Sequence, residues 1–341
     1  MTQAVLELEK AVDAAAKHGP SELHHIDYLD GWRGVAILLV LQAHFFVIPG
    51  IKSGRLGVDV FFVLSGFLMS RILFVKRVPL NVFYKRRISR ILPAFLLYIT
   101  VVYGAAYFLG RTERYNIVWS LTFLRTYIPT GYDFSNADIP ISQLWSLNVE
   151  EHCYVFLSLL TLILPLKGRE GPFLILAGVL SIAIHFSYCA FPDLAPASCE
   201  ARTEAAAAHL LVAAGYFLVR SRAVPFVRPW MPLAASAAAA VCYAHFAPWW
   251  SSVILSPFLL AFAVNHLSET PRWFRSALAW PPLRLMGVWS YSIYLWHGPF
   301  ASHDYFGHDG HVVSCAAGIG AGVLSFYLLE NPIRTWLNKV W

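Results

Sequence analysis

The sequence predicts an all-α, polytopic membrane bundle of about ten transmembrane helices with both termini in the cytoplasm. Three observations carry that expectation. Hydrophobic residues fill 57% of the 341 positions and charged residues only 13%, whereas soluble domains carry about 25% charged residues. Apolar runs close to the ~20 residues that cross a bilayer recur along the chain. Lysines and arginines gather between alternate runs, as the positive-inside bias requires.

Residues 1–28 are polar and carry Leu6, Leu8 and Val12 at the spacing of a short amphipathic helix. They are expected to be a cytoplasmic tail rather than a signal peptide, because the first apolar run lies too far in and no small-residue cleavage site follows it. Residues 29–338 then form a single transmembrane domain. Its spans are expected near 32–49, 57–75, 91–110, 144–166, 171–191, 205–220, 230–247, 249–267, 285–302 and 312–330. Residues 115–129 are apolar but short and hold Arg125, so they read as an interfacial or re-entrant helix. With the N-terminus inside, ten spans put sixteen basic residues on the cytoplasmic face and six on the other. No appended extracytoplasmic domain is expected after the last run.

The net charge of +6 does not point to nucleic acid, since it sits at the ends of apolar stretches and no basic helix or zinc spacing accompanies it. Cys153, Cys189, Cys199, Cys242 and Cys315 form no metal pattern, and only Cys189 and Cys199 flank one polar loop where a disulfide is conceivable. Twelve Trp and sixteen Tyr suit two interfacial belts.

A charge near the bilayer centre costs about 2.5–3.5 kcal/mol on insertion scales, so each one needs a partner or a task. In WRGVAILLVLQAHFFVI, Arg33 and His44 stand eleven residues apart. That is about three turns, which places both within roughly 20° of one helix face and ~16 Å apart along the axis. Taken singly, Arg33 reads as a snorkelling anchor and His44 as a satisfied core histidine. Asp59 in GVDVFFVLSGF reads first as a dipole partner in the opening turn of a helix. In FYKRRISRILP, Arg87 and Arg90 are spaced i, i+3 before Pro93, which suits a loop leading into a helix start. Such a loop is either a positive-inside anchor or a pair of guanidinium forks for phosphate. Glu150 and Glu151, beside His152 in LWSLNVEEHCY, read as an acidic pair at the head of an outer-facing helix start. His297 in SYSIYLWHGPF reads as an interface histidine and Glu330 as a helix-end acid.

Five segments in order make the chain resemble the acyltransferase-3 family of membrane O-acyltransferases. They are LDGWRGVAILLVLQAH with its Arg-ten-residues-His pattern, GVDVFFVLSGF, RRISRILP with Arg-x-x-Arg, WSLNVEEHCY and SYSIYLWH. The resemblance implies a ten-helix bundle in a bacterial inner membrane that takes an acyl group, usually acetyl, from cytoplasmic acyl-CoA. The group passes to a hydroxyl of a cell-surface or lipid-linked carbohydrate. Acetyl-CoA is then a co-substrate, and no permanently bound cofactor or metal is expected. The resemblance makes Arg33 and His44 one functional pair and Arg87 and Arg90 another. Two positions depart from the family pattern: Cys153 stands where Phe is frequent, and Arg125-Thr126 where an Asn is frequent.

In the mechanism these residues suggest, Arg87 and Arg90, with Lys85 and Arg86, hold the CoA phosphates and Arg33 lines the path of the pantetheine arm. His44 acts as general base, because an imidazole titrates near working pH. Glu150 or Glu151 orients it. The outer loops 110–143, 192–204 and 303–311 are where acceptor selectivity is expected. The competing class is a flippase of a carbohydrate or lipid-linked glycan, in which the same polar stripe lines a path.

Overall fold

The computed structural model describes residues 27–341 apart from positions 47, 111–113, 129–138, 164, 165, 167, 197, 198 and 302–309. The tail 1–26 and parts of the outer loops expected to select the acceptor, including nearly all of 303–311, therefore lie outside the described residues. Among the described residues the fold is helical throughout, with a single isolated β-bridge between Ile51 and Ala244.

Twelve helices carry the architecture. They are α1 (Asp27–Phe45), α2 (Ser53–Ser70), α3 (Leu80–Phe108), α4 (Arg114–Leu121), α5 (Leu144–Leu160) and α6 (Glu170–Ala190), followed by α7 (Ala208–Val219), α8 (Met231–Val241), α9 (Ser256–Asn265), α10 (Pro281–Ala301), α11 (His311–Ser325) and α12 (Asn331–Val340). A π-helical turn, Arg71–Val75, extends α2, and a second, Phe326–Glu330, joins α11 to α12. Four helical stretches are long and apolar enough to cross a membrane by length and composition: Ser53–Val75, Leu80–Phe108, Glu170–Ala190 and His311–Val340. The remaining expected spans are shorter or more polar. The 230–267 region is divided into α8, a short helix Trp249–Ile254 and α9. The segment read as interfacial contains α4, which at eight residues is too short to span.

The largest departure from expectation lies in α3. The basic stretch before Pro93 is not a loop: the helix starts at Leu80 and runs 29 residues, with Arg87, Arg90 and Pro93 inside it. Arginine and lysine are good helix formers, so their charge does not break the helix. Proline removes one backbone donor, a loss that neighbouring elements in a packed bundle can absorb. Likewise Glu150 is not at a helix head but is the seventh residue of α5, two turns in.

Small residues bring the site helices together. A Cβ on Gly287 of α10 would stand 1.8 Å from the Asp30 carbonyl oxygen of α1, and one on Gly66 of α2 would stand 2.1 Å from that of Leu210 in α7. Only glycine permits backbones to approach this closely. At the other end of α1 the ring of His44 meets that of His297 from α10, so α1 and α10 run parallel. The opposite relation holds between α3 and α5, where Tyr84 bonds Ser158 and Gln143 bonds Tyr98; these two are antiparallel.

Candidate active site

Four of the polar residues picked out in the sequence form two groups joined through Tyr294: Arg33 with Glu150, and His44 with His297. The inner group surrounds a cavity of about 60 Å³ lined by Arg33 of α1, Phe61 of α2, Ser146 and Glu150 of α5, and Tyr291 and Tyr294 of α10. Glu150 accepts a hydrogen bond from Ser65 Oγ at 2.7 Å. Arg33 Nε is buried without a hydrogen-bond partner, a donor whose desolvation costs about 1–3 kcal/mol unless something fills the role. Arg33 and Glu150 thus face one space.

Glu151 points elsewhere. Arg87 Nη2 donates to its Oε1 at 2.7 Å, and Arg87 Nε lies 3.2 Å from Oε1 and 3.3 Å from Oε2. The guanidinium also sits 3.3 Å above the Tyr154 ring, and the Arg87 side chain is only 12% exposed. Two of its donor nitrogens are therefore committed inside the protein. Lys85 and Arg86 are exposed, and Arg90 is half-buried.

The outer group is a histidine pair. His44 is exposed and His297 is 1% exposed, with ring centroids 4.8 Å apart at 74°. His44 Nδ1 lies 2.8 Å from the Val40 carbonyl. A carbonyl can only accept, so Nδ1 carries the proton and a neutral ring keeps its lone pair on Nε2, the nitrogen able to act as a base. His297 Nδ1 donates in the same way to the Tyr294 carbonyl at 2.7 Å. The Tyr294 ring lies 5.5 Å from that of His297, and its hydroxyl is 2.7 Å from Ser146 Oγ. Tyr294 therefore touches both the small cavity and the histidine pair.

His297 is the residue that reading the sequence undervalued. Its signal was its place in SYSIYLWH, but nothing local announced that α10 would lie parallel to α1. Asp59 is not the first-turn dipole partner expected, because α2 starts at Ser53 and Asp59 is its seventh residue. It is 1% exposed, is bonded by Arg55 Nε at 3.0 Å and by the Tyr243 hydroxyl at 2.7 Å, and borders a separate cavity. Cys189 and Cys199 are free thiols on that same cavity wall. Among the described residues, no cluster of His, Cys, Asp and Glu suits a metal ion.

The chain matches the acyltransferase domain family over residues 26–330, and it belongs to that family. A protein of Komagataeibacter xylinus, provisionally described as a membrane-bound transacylase, is 28% identical over 80% of this chain and 72% of its own length. Peptidoglycan O-acetyltransferase OatA of Listeria monocytogenes is 26% identical over 91% of this chain and 56% of its own. The chain thus spans little more than half the length of OatA. No solved structure matches it. With its four apolar helices of spanning length and its membrane-bound relatives, the protein is a membrane acyltransferase.

Proposed function

We propose that the protein is an O-acetyltransferase of a bacterial inner membrane, moving an acetyl group from cytoplasmic acetyl-CoA to a hydroxyl of a cell-surface or lipid-linked carbohydrate. The observation that carries this reading is the alignment of a buried, unpaired guanidinium donor on Arg33 with the exposed base-ready Nε2 of His44, on one helix and linked through Tyr294. A thioester needs both a way into the bundle and a base at its end. Relatives named as O-acetyltransferases supply the acyl class.

In this reading Arg86, Arg90 and Nη1 of Arg87 face the phosphates of CoA, while Glu151 holds the rest of the Arg87 fork in place. The pantetheine arm runs past Arg33 and Glu150. His44 Nε2 takes the proton of the acceptor hydroxyl as the oxygen attacks the thioester carbonyl; the C–S bond breaks, and the sulfur leaves to be protonated as the CoA thiol. His297, packed against the His44 ring, holds that ring in its orientation, while the Val40 carbonyl holds its tautomer; from sequence the orienting role is expected of Glu150 or Glu151. General-base catalysis of this kind contributes about 10²–10⁴-fold. The parallel course of α1 and α10 suits the proposed topology, since an odd number of crossings, seven in the ten-span reading, must lie between two helices that start on one face.

Vesicles holding the protein, supplied with radiolabelled acetyl-CoA outside and oligosaccharides inside, test the reading against the flippase alternative. Label recovered covalently in the glycan is the expected result. Movement of glycan across the vesicle without label would establish transport instead.

A further inference from the structure

A second cavity, of about 660 Å³, opens at the end of the bundle where α1 ends and α2 begins. Its volume lies within the roughly 300–1,000 Å³ usual for small-molecule sites. The floor is a fixed polar network. Tyr243 donates to Asp59 Oδ2 at 2.7 Å, and, its one proton spent, accepts from Ser256 Oγ at 2.8 Å. His209 Nε2 stands 3.1 Å from Ser256 Oγ. Asp59 Oδ1 is buried and accepts no hydrogen bond, its nearest partner being His209 Nδ1 at 3.4 Å. Asp59 lines the cavity, and its Oδ1 is a buried acceptor that no hydrogen bond satisfies, the kind of group that calls for a donor.

The charge of the wall balances: Lys52 and Arg55 oppose Asp59 and Glu200. That balance argues against a phosphate or other anion. Tyr188 and Trp249 add aromatic faces on the same wall. Fixed acceptors and donors, balanced charge and flat apolar faces together match a neutral polyhydroxylated ring, whose hydroxyls bond the floor while its C–H face lies on an aromatic.

We propose that this cavity binds a sugar ring of the acceptor glycan, with Asp59 Oδ1 receiving one of its hydroxyls. The proposal rests on the acceptor being a carbohydrate. The site is bounded in part by Cys199 and Glu200, within the outer loop from which selectivity was expected.

The wall carries its own reporters. Cys189 and Cys199 are half-buried on it, whereas Cys153, Cys242 and Cys315 are buried. The purified full chain is labelled with fluorescein maleimide, with and without chitotetraose or cellotetraose. At about ten times its dissociation constant, a ligand filling the cavity slows labelling of Cys189 and Cys199 about tenfold. Inorganic phosphate is expected to leave the rate unchanged, and Trp249→Ala to weaken the protection by the saccharides. Unchanged labelling with both saccharides, or protection by phosphate alone, overturns the proposal. Labelling needs no acyl transfer, so the two readings fail separately. Protection without transfer contradicts the transferase, whereas transfer without protection contradicts this cavity as the sugar site.

Discussion

At the scale of single residues, the site depends on who partners whom. His297 was expected to be an interfacial histidine, yet it is buried under His44. Its replacement by Phe keeps a ring beneath His44 and removes the polar edge. On the proposed mechanism His297→Phe lowers kcat by about 10-fold or more while leaving the KM for acetyl-CoA near its starting value, as a mutant that touches only the base's orientation should. A raised KM with unchanged kcat would assign His297 to binding instead. Arg87 and Glu151 make the opposite case. Removing one partner of a fully buried pair costs about 3–5 kcal/mol, because the other charge is left uncompensated, whereas replacing both with apolar groups costs far less. Arg87 and Glu151, 12% and 20% exposed, fall below that range because solvent screens them in part. Glu151→Leu should therefore lower the melting temperature in detergent, and Arg87→Met/Glu151→Leu should recover much of it. If the double variant melts no higher than the single one, the ion pair is not what Glu151 contributes. The motifs made these residues visible, but not their pairing. Arg87 and Glu151 lie 64 positions apart, and spacing along one helix carries no information about a partner on another.

Among elements, contact of α1 with α10 sets the positions of both His44 and Arg33 against Tyr294. Gly287 lies on the Asp30 backbone with no room for a methyl group, while Gly104 of α3 has nothing within 4 Å of the same added atom. Gly287→Ala should push the two helices apart, costing about 1–3 kcal/mol and most of the transferase activity. Gly104→Ala should do neither, and matched thermal melts and transfer rates for the two variants check this. The element that the sequence misrepresented is α3. Its basic opening reads as a loop if charge is taken to end an apolar span, but the helix continues through it because lysine and arginine propagate helices well. The consequence is chemical: Arg87 is carried along the helix to Glu151 instead of standing free at a surface. By contrast, α1 and α10 were legible from their apolar runs, and the face arithmetic that joined Arg33 to His44 needed only the helical repeat.

For the molecule as a whole, membrane character was plain in the composition, and five short motifs in order were enough to indicate the family that residues 26–330 match. Ten spans with both ends inside are a finer reading, since four helical stretches reach spanning length and apolarity. Alkaline phosphatase fused after Trp341 should be inactive and a fluorescent protein there bright; an active phosphatase would place the C-terminus outside. The acceptor cavity was not legible, because Asp59, His209 and Tyr243 come from α2, α7 and the turn after α8, and each alone is an ordinary residue in an apolar setting. The central claim is that His44 is the base that delivers the acceptor oxygen to the thioester. It is tested most directly by the initial rate of acetyl transfer from labelled acetyl-CoA to an accepted glycan, measured for purified protein and its His44→Ala variant at equal folded concentration. The proposed mechanism predicts a fall of about 10²–10⁴-fold, and a variant that transfers acetyl at the unaltered rate would contradict it.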